Sequence, residues 1–185
     1  IVNRCRDPIV RDFWLREFPG YSAQFRAEAA SPILNKVGQF LSTGMIRNIV
    51  GQSRSGFDLS EVMNSGKIFV ANLAKGKIGE GNSALLGAML ITRFQLATMT
   101  RARVAEVDRR DFNLCVDEFQ NFATESFATI MSEARKYRLS LTLAHQYLAQ
   151  VPDELVSAIL GNVGSLVSFR IGAEDARVFA REFHP

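Results

Sequence analysis

The spacing of hydrophobic and polar residues divides the chain into two parts. Up to residue 65, apolar residues recur at helical spacing between polar turns. Asp7-Pro8 and Ser31-Pro32 each predict the start of a helix, and Asp58 predicts the cap of a short one. We therefore expect an all-α subdomain at residues 1–65.

From residue 66 onward, short apolar runs alternate with helical segments. The predicted strands are 67–73, 112–117, 139–144 and 165–171. The segment 84–102 is apolar nearly all round, which predicts a well-buried helix. Alternation of strands and helices is typical of an α/β fold with a mainly parallel sheet, so we place a domain boundary at Ser65-Gly66 and an α/β part at 66–185.

Composition narrows the class of protein. A chain of 185 residues with 47% hydrophobic content is a packed globular protein and not a disordered tail. Its net charge of +3 permits a nucleic-acid partner without requiring one. The mixed-sign stretch 101–110 is predicted to be a solvated connector, with a functional basic patch as the alternative. No apolar run is long enough to span a membrane.

The ends and the cysteines of the chain suggest its origin. Cys5 and Cys115 are far apart and have no zinc-ligand spacing, which favours a reducing, cytoplasmic compartment. The chain lacks an initiating Met, so we expect it to be a piece of a longer protein.

The sharpest local signal is a predicted strand that ends in two carboxylates, Asp117 and Glu118. Sites in open α/β sheets lie at the carboxyl ends of strands, and Mg²⁺ prefers one or two carboxylates together with phosphate oxygens and water. The second carboxylate can polarise an attacking water. A Walker B segment has this form, but so does an ordinary strand followed by an acidic helix start, and both interpretations stay open for this segment alone.

Two further polar residues occupy positions that nucleotide hydrolysis uses. Gln146 follows the predicted strand 139–144, where an amide can hold the attacking water or contact a γ-phosphate. Arg135 ends the preceding helix, where it can reach a nucleotide in a neighbouring subunit. An ordinary loop glutamine and a basic helix end favoured by the helix dipole remain the alternatives.

The sequence contains no usable phosphate loop. The required pattern is G-x-x-x-x-G-K-[ST]. Residues 51–56 have the glycine spacing, but Phe57 and Asp58 stand where Lys and Ser/Thr are needed. Segment 75–81 is glycine-rich and basic but has the wrong order.

Together these motifs resemble the C-terminal half of the motor domain of HerA/FtsK-type P-loop ATPases, in particular the TraD/TraG-like coupling proteins of conjugation and type IV secretion. The resemblance covers roughly residues 60–185. The stretches that carry it are 66–73 (GKIFVANL), 75–79 (KGKIG), 116–122 (VDEFQNF), 132–146 (SEARKYRLSLTLAHQ) and 167–176 (VSFRIGAEDA).

The resemblance implies a role for each candidate residue. Asp117 would help to bind Mg²⁺ through water, Glu118 would be the catalytic base, and Gln146 would be the sensor of the γ-phosphate. Arg135 would be the arginine that reaches the neighbouring subunit. The implied cofactors are ATP and Mg²⁺.

The resemblance also implies a fold and partners. The fold would be an incomplete RecA-like P-loop NTPase core at 66–185 that lacks the Walker A strand, preceded by a helical insert at 1–65. The whole protein would be an ATP-driven DNA-translocating motor that assembles as a hexamer, with DNA and secretion or conjugation proteins as partners. It would be cytoplasmic, or anchored to a membrane through a region outside this sequence. This chain alone would neither hydrolyse ATP nor bind ATP and Mg²⁺ tightly.

Two other functions stay open. One is a non-enzymatic interaction module with a degenerate P-loop-like fold, and the other is part of a DExx-type helicase. In the resembling family the phosphate-loop strand lies between the third and fourth strands that we predict here. Without it we expect a rearranged sheet, or an unpaired edge that associates with another chain.

Overall fold

The computed structural model describes residues 5–123 and 125–183, without the side chains of residues 36, 39, 40, 125 and 126. The chain divides into two compact units, Ile1–Ser53 and Arg54–Pro185. The helices are α1 (Pro8–Asp12), α2 (Ala23–Leu41), α3 (Gly44–Val50), α4 (Leu59–Asn64), α5 (Lys75–Ile78), α6 (Glu80–Thr100), α7 (Glu125–Glu133), α8 (Asp153–Asn162) and α9 (Ala173–Glu182). The strands are β1 (Phe112–Val116) and β2 (Leu139–Leu143).

The first unit is helical where it is described, and one of its predicted helix starts is wrong. Asp7 caps α1 as expected, since its carboxylate accepts hydrogen bonds from the N–H groups of Ile9 and Val10. No new helix begins at Ser31-Pro32, because α2 begins earlier, under a cap from Ser22, and continues through Pro32. The proline removes one backbone donor, and the helical turns on both sides hold the segment together.

The core of the second unit forms around α6. This helix packs against α4, against the 3₁₀ turn Phe119–Phe122 and against α7, which in turn packs against α8. The buried core residues are Leu59, Met63, Ile91, Phe94, Ala97, Val116, Phe119, Phe122, Phe127, Ile130, Ala134, Leu139, Val151 and Leu155. The helix α6 is less buried than its apolar composition predicts, because Leu85 and Leu96 are 40% and 51% exposed.

The sheet consists of two parallel strands in the described part of the chain. Phe112 pairs with Leu139 at one end and Val116 with Leu143 at the other. Side chains alternate along both strands, so one face packs on the helices while the other presents Asn113, Cys115, Ser140 and Thr142 to solvent. The fold is therefore α/β in the coarse sense, mostly helical with a small parallel sheet.

Two of the four predicted strands are wrong. The segments 67–73 and 165–171 form no strand in the structure. Their alternate apolar side chains face solvent: Ile68 is 92% exposed and Phe169 is 88% exposed. A run of β-forming residues becomes a strand only when a neighbouring strand supplies hydrogen bonds and a packing surface, and neither segment has such a neighbour. The predicted third and fourth strands therefore do not pair, and the sheet is smaller than expected.

The basic connector is also different from the prediction, because Arg101 is fully buried. Its guanidinium donates hydrogen bonds to the carbonyl oxygens of Met63 (2.9 Å) and Tyr137 (2.8 Å) and to the side-chain oxygen of Asn64 (3.0 Å). Burial, followed by repulsion from Arg109, lowers the pKa of Arg101 below its usual value, and Asp111 acts in the opposite direction. Arg101 thus fastens the end of α4 to the turn that precedes β2.

No described helix is both long enough and apolar enough to cross a bilayer.

Candidate site at the carboxyl ends of the two strands

The backbone places Glu118 at the carboxyl end of β1 in an unusual conformation. The N–H of Ala144 donates to the carbonyl of Val116 at 3.0 Å, and the N–H of Phe119 donates to the carbonyl of Ala144 at 3.1 Å. The two backbone segments therefore stay paired beyond the ends of β1 and β2. Between these bonds Glu118 has φ 51° and ψ 43°, the left-handed region that a residue with a side chain rarely adopts. Both the backbone and the side-chain N–H of Asn121 donate to its carbonyl at 3.0 Å, which holds this conformation. A local strain that its surroundings maintain is common at functional sites.

The carboxylate of Glu118 joins the two strand ends. Its Oε1 accepts a hydrogen bond of 2.7 Å from the side-chain amide of Gln146, and its Oε2 accepts one of 2.7 Å from that of Gln120. Glu118 is half-buried, while Gln146 is exposed. The structure thus brings together Glu118 and Gln146, which the sequence predicted as one site from separate segments.

Asp117 lies next to this pair with an exposed side chain. Its Oδ1 accepts a hydrogen bond of 3.0 Å from the N–H of Glu118. Within residues 5–123 and 125–183, no group of three or more His, Cys, Asp or Glu side chains could hold a metal ion. The carboxylates of Asp117 and Glu118 are the type of oxygen ligand that Mg²⁺ uses together with water and phosphate oxygens.

Arg135 is not part of this cluster. It is exposed on the 3₁₀ turn Ala134–Tyr137, which precedes β2, whereas Gln146 follows β2. The five residues of β2 span roughly 16 Å at about 3.3 Å per residue. Arg135 and Glu118 therefore lie at opposite ends of the sheet, and a contact between them within one chain is not formed.

Sequence reasoning missed the role of Gln120. Its amide nitrogen also lies 3.1 Å from Oε1 of Gln150, on the 3₁₀ turn Leu148–Gln150, so one side chain links Glu118 to that turn. This 3₁₀ turn is held by α9, because the buried carboxylate of Asp175 accepts a hydrogen bond of 3.2 Å from the N–H of Leu148. The signal that could have found Gln120 is an amide two residues after a carboxylate, but only the left-handed backbone at Glu118 folds the two side chains together.

Comparison with known proteins adds one finding to this geometry. Residues 111–183 match the family model described as the TraM recognition site of TraD and TraG, a segment that contains both strands and all four predicted site residues and covers less than half of the chain. Searches of curated proteins and of solved structures gave no match. The resemblance that the motifs indicated is confirmed for this segment: residues 111–183 are similar to the TraM recognition site of TraD and TraG.

Proposed function

We propose that this chain is part of an ATP-driven, DNA-translocating motor of the coupling-protein type, and that Glu118 is its catalytic base. The observation that carries the proposal is the 2.7 Å hydrogen bond between Glu118 and Gln146 across the carboxyl ends of adjacent parallel strands. That is the edge at which α/β sheets bind nucleotides. The family match over the same residues supports the coupling-protein part of the proposal.

Each side chain has a defined task in this proposal. Glu118 accepts the proton of the attacking water, and Gln146 orients that carboxylate and contacts the γ-phosphate side of the site. Asp117 holds a water of the Mg²⁺ shell at the strand end. ATP and Mg²⁺ supply the phosphoryl group and the charge neutralisation, and a phosphate loop outside this sequence holds the β/γ-phosphates.

Arg135 acts on the nucleotide of a neighbouring subunit in this proposal. Its exposure and its position at the other end of β2 exclude it from the site of its own chain and leave its guanidinium free for another. An arginine supplied in trans stabilises charge that develops on the transferred phosphoryl group. The proposal therefore requires a ring, which we take to be a hexamer, with the 1–65 helices as an insert and 66–185 as part of a RecA-like core.

The second part of the proposal concerns the protein that residues 111–183 bind. The matching family model is described as a TraM recognition site, so we propose that residues 111–183 bind a TraM-like protein and that the motor moves DNA during conjugation. Isothermal titration of the chain with a purified TraM-like protein tests this part. Binding supports this part of the proposal if a peptide of scrambled sequence does not compete with it. A titration that releases no heat at any concentration refutes this part of the proposal.

Mixing two inactive variants tests the site and the trans arginine together. We expect the complete protein to lose ATPase activity on Glu118→Gln and on Arg135→Ala. In a mixed ring, an Arg135→Ala subunit keeps its own Glu118 and receives Arg135 from a Glu118→Gln neighbour. Mixing should therefore restore part of the activity, whereas Arg103→Ala, at an exposed arginine of the connector, should be active without mixing. Failure of mixed rings to recover any turnover would refute the trans role.

A further inference from the structure

Glu118 accepts a hydrogen bond on each carboxylate oxygen, and the two donors lie on different elements. Gln146 follows β2, whereas Gln120 belongs to the 3₁₀ turn Phe119–Phe122. One donor would leave the carboxylate free to rotate about its last side-chain bond, but two donors on opposite oxygens fix its plane. Each oxygen retains a second lone pair for a water, so the pair of amides orients the carboxylate without blocking it.

The orientation of the Gln120 amide is determined by its neighbours. Both atoms within hydrogen-bond distance of its nitrogen, Oε2 of Glu118 and Oε1 of Gln150, are oxygens. A carboxylate only accepts hydrogen bonds, so the nitrogen must face Glu118. The amide oxygen of Gln120 is consequently buried and has no hydrogen-bond partner among the described residues. A buried acceptor without a partner is unfavourable and requires an explanation, and the contact with Glu118 provides one.

The support of Gln120 continues to the first turn of α9. Gln150 accepts from Gln120, and its turn is fixed by the hydrogen bond from Leu148 to the buried carboxylate of Asp175 in the first turn of α9. Gln120 is therefore held from a second direction, independent of β1.

We propose that Gln120 is a positioning residue that, with Gln146, holds the Glu118 carboxylate in the plane that proton abstraction requires, and that Gln150 supports it. This inference rests on the proposed function, because it assigns Gln120 a role in the same hydrolysis. A positioning residue acts on the chemical step and not on nucleotide binding.

The kinetic test uses the complete protein. Gln120→Leu keeps the size of the side chain and removes the donor, and it should lower kcat about tenfold with the KM for ATP changed less than about twofold. Gln150→Leu should give a smaller loss of the same kind. Gln95→Leu is the matched control, since Gln95 is a half-buried glutamine of α6 that lines a small cavity with Thr98 and Tyr137 and does not contact Glu118. Equal kcat values for Gln120→Leu and Gln95→Leu, in a protein that Glu118→Gln inactivates, would overturn the positioning role.

A second readout does not depend on ATPase activity. In the ¹⁵N-labelled chain, Glu118→Ala should shift the side-chain amide resonances of Gln120 and Gln146 and leave that of Gln95 unchanged. An unmoved Gln120 resonance overturns the contact and the proposal with it. Turnover that survives Glu118→Gln overturns the proposed function and therefore the positioning role of Gln120 in hydrolysis. The resonance shift would still record the contact, so the two failures are distinguishable.

Discussion

Replacement of Arg101 by Met tests whether this buried cation stabilises the second unit, Arg54–Pro185. The substitution keeps an unbranched side chain and removes a guanidinium that donates to Met63, Asn64 and Tyr137 at 2.8–3.0 Å. Each buried acceptor that loses its donor costs about 1–3 kcal/mol. Met63 is buried and Tyr137 is half-buried, whereas Asn64 is exposed and water can replace its donor, so the two carbonyl groups set an upper figure of about 6 kcal/mol. Removal of a charge whose burial is itself unfavourable offsets part of this loss, and the lowered pKa of Arg101 reflects that unfavourable burial.

The expected net loss in the free energy of unfolding is about 3 kcal/mol. Urea denaturation followed by circular dichroism measures it as a lower transition midpoint with an unchanged slope. Arg103→Met is the control, because Arg103 is exposed two residues away and its loss should cost at most about 0.5 kcal/mol. Equal midpoints for the two variants would refute the structural role of Arg101.

Two further predictions concern packing and association. Gly87→Ala should cost about 1–3 kcal/mol in urea denaturation, because the new Cβ would overlap the Phe122 ring. Gly81→Ala, also in α6 but with no heavy atom within 4 Å of the new Cβ, should instead stabilise the protein by about 0.4–1 kcal/mol. Equal effects would contradict the close contact. The chain by itself should self-associate through the exposed apolar segments 67–73 and 165–171. Val167→Lys with Phe169→Lys, at side chains 76% and 88% exposed, should shift it toward monomer in sedimentation velocity. An unsubstituted chain that stays monomeric at all concentrations would refute this expectation.

Local signals in the sequence predicted the elements that local interactions determine. The caps at Asp7 and Asp58 form because each side chain bonds to N–H groups two or three residues away. The strands β1 and β2 were predicted from short apolar runs between helical segments, and in the structure they pair with each other.

The sequence could not predict features that depend on distant partners. The segments 67–73 and 165–171 have the composition of strands, but a strand requires a neighbour, and the run itself carries no information about one. The burial of Arg101 depends on carbonyl groups about 37 residues away along the chain, which no local pattern encodes. An arginine between other charged residues is normally solvated, so the charge pattern favoured the wrong environment.

Only part of the candidate site was predicted from the sequence. Parallel strands bring their carboxyl ends to one edge, so Glu118 and Gln146 could be placed together from the sequence. The contact of Gln120 depends on the left-handed backbone at Glu118, a conformation that glutamate rarely adopts. No spacing rule anticipates it.

Our central claim is that Glu118, held by Gln146, is the base of an ATP-hydrolysing site. The most direct test is steady-state ATPase activity of the complete protein with Glu118→Gln, together with nucleotide binding measured by a fluorescent ATP analogue. We predict a fall in kcat of at least about 100-fold with nucleotide affinity retained, because the substitution removes a proton acceptor and preserves the size of the side chain. Undiminished turnover in the Glu118→Gln protein would contradict the claim.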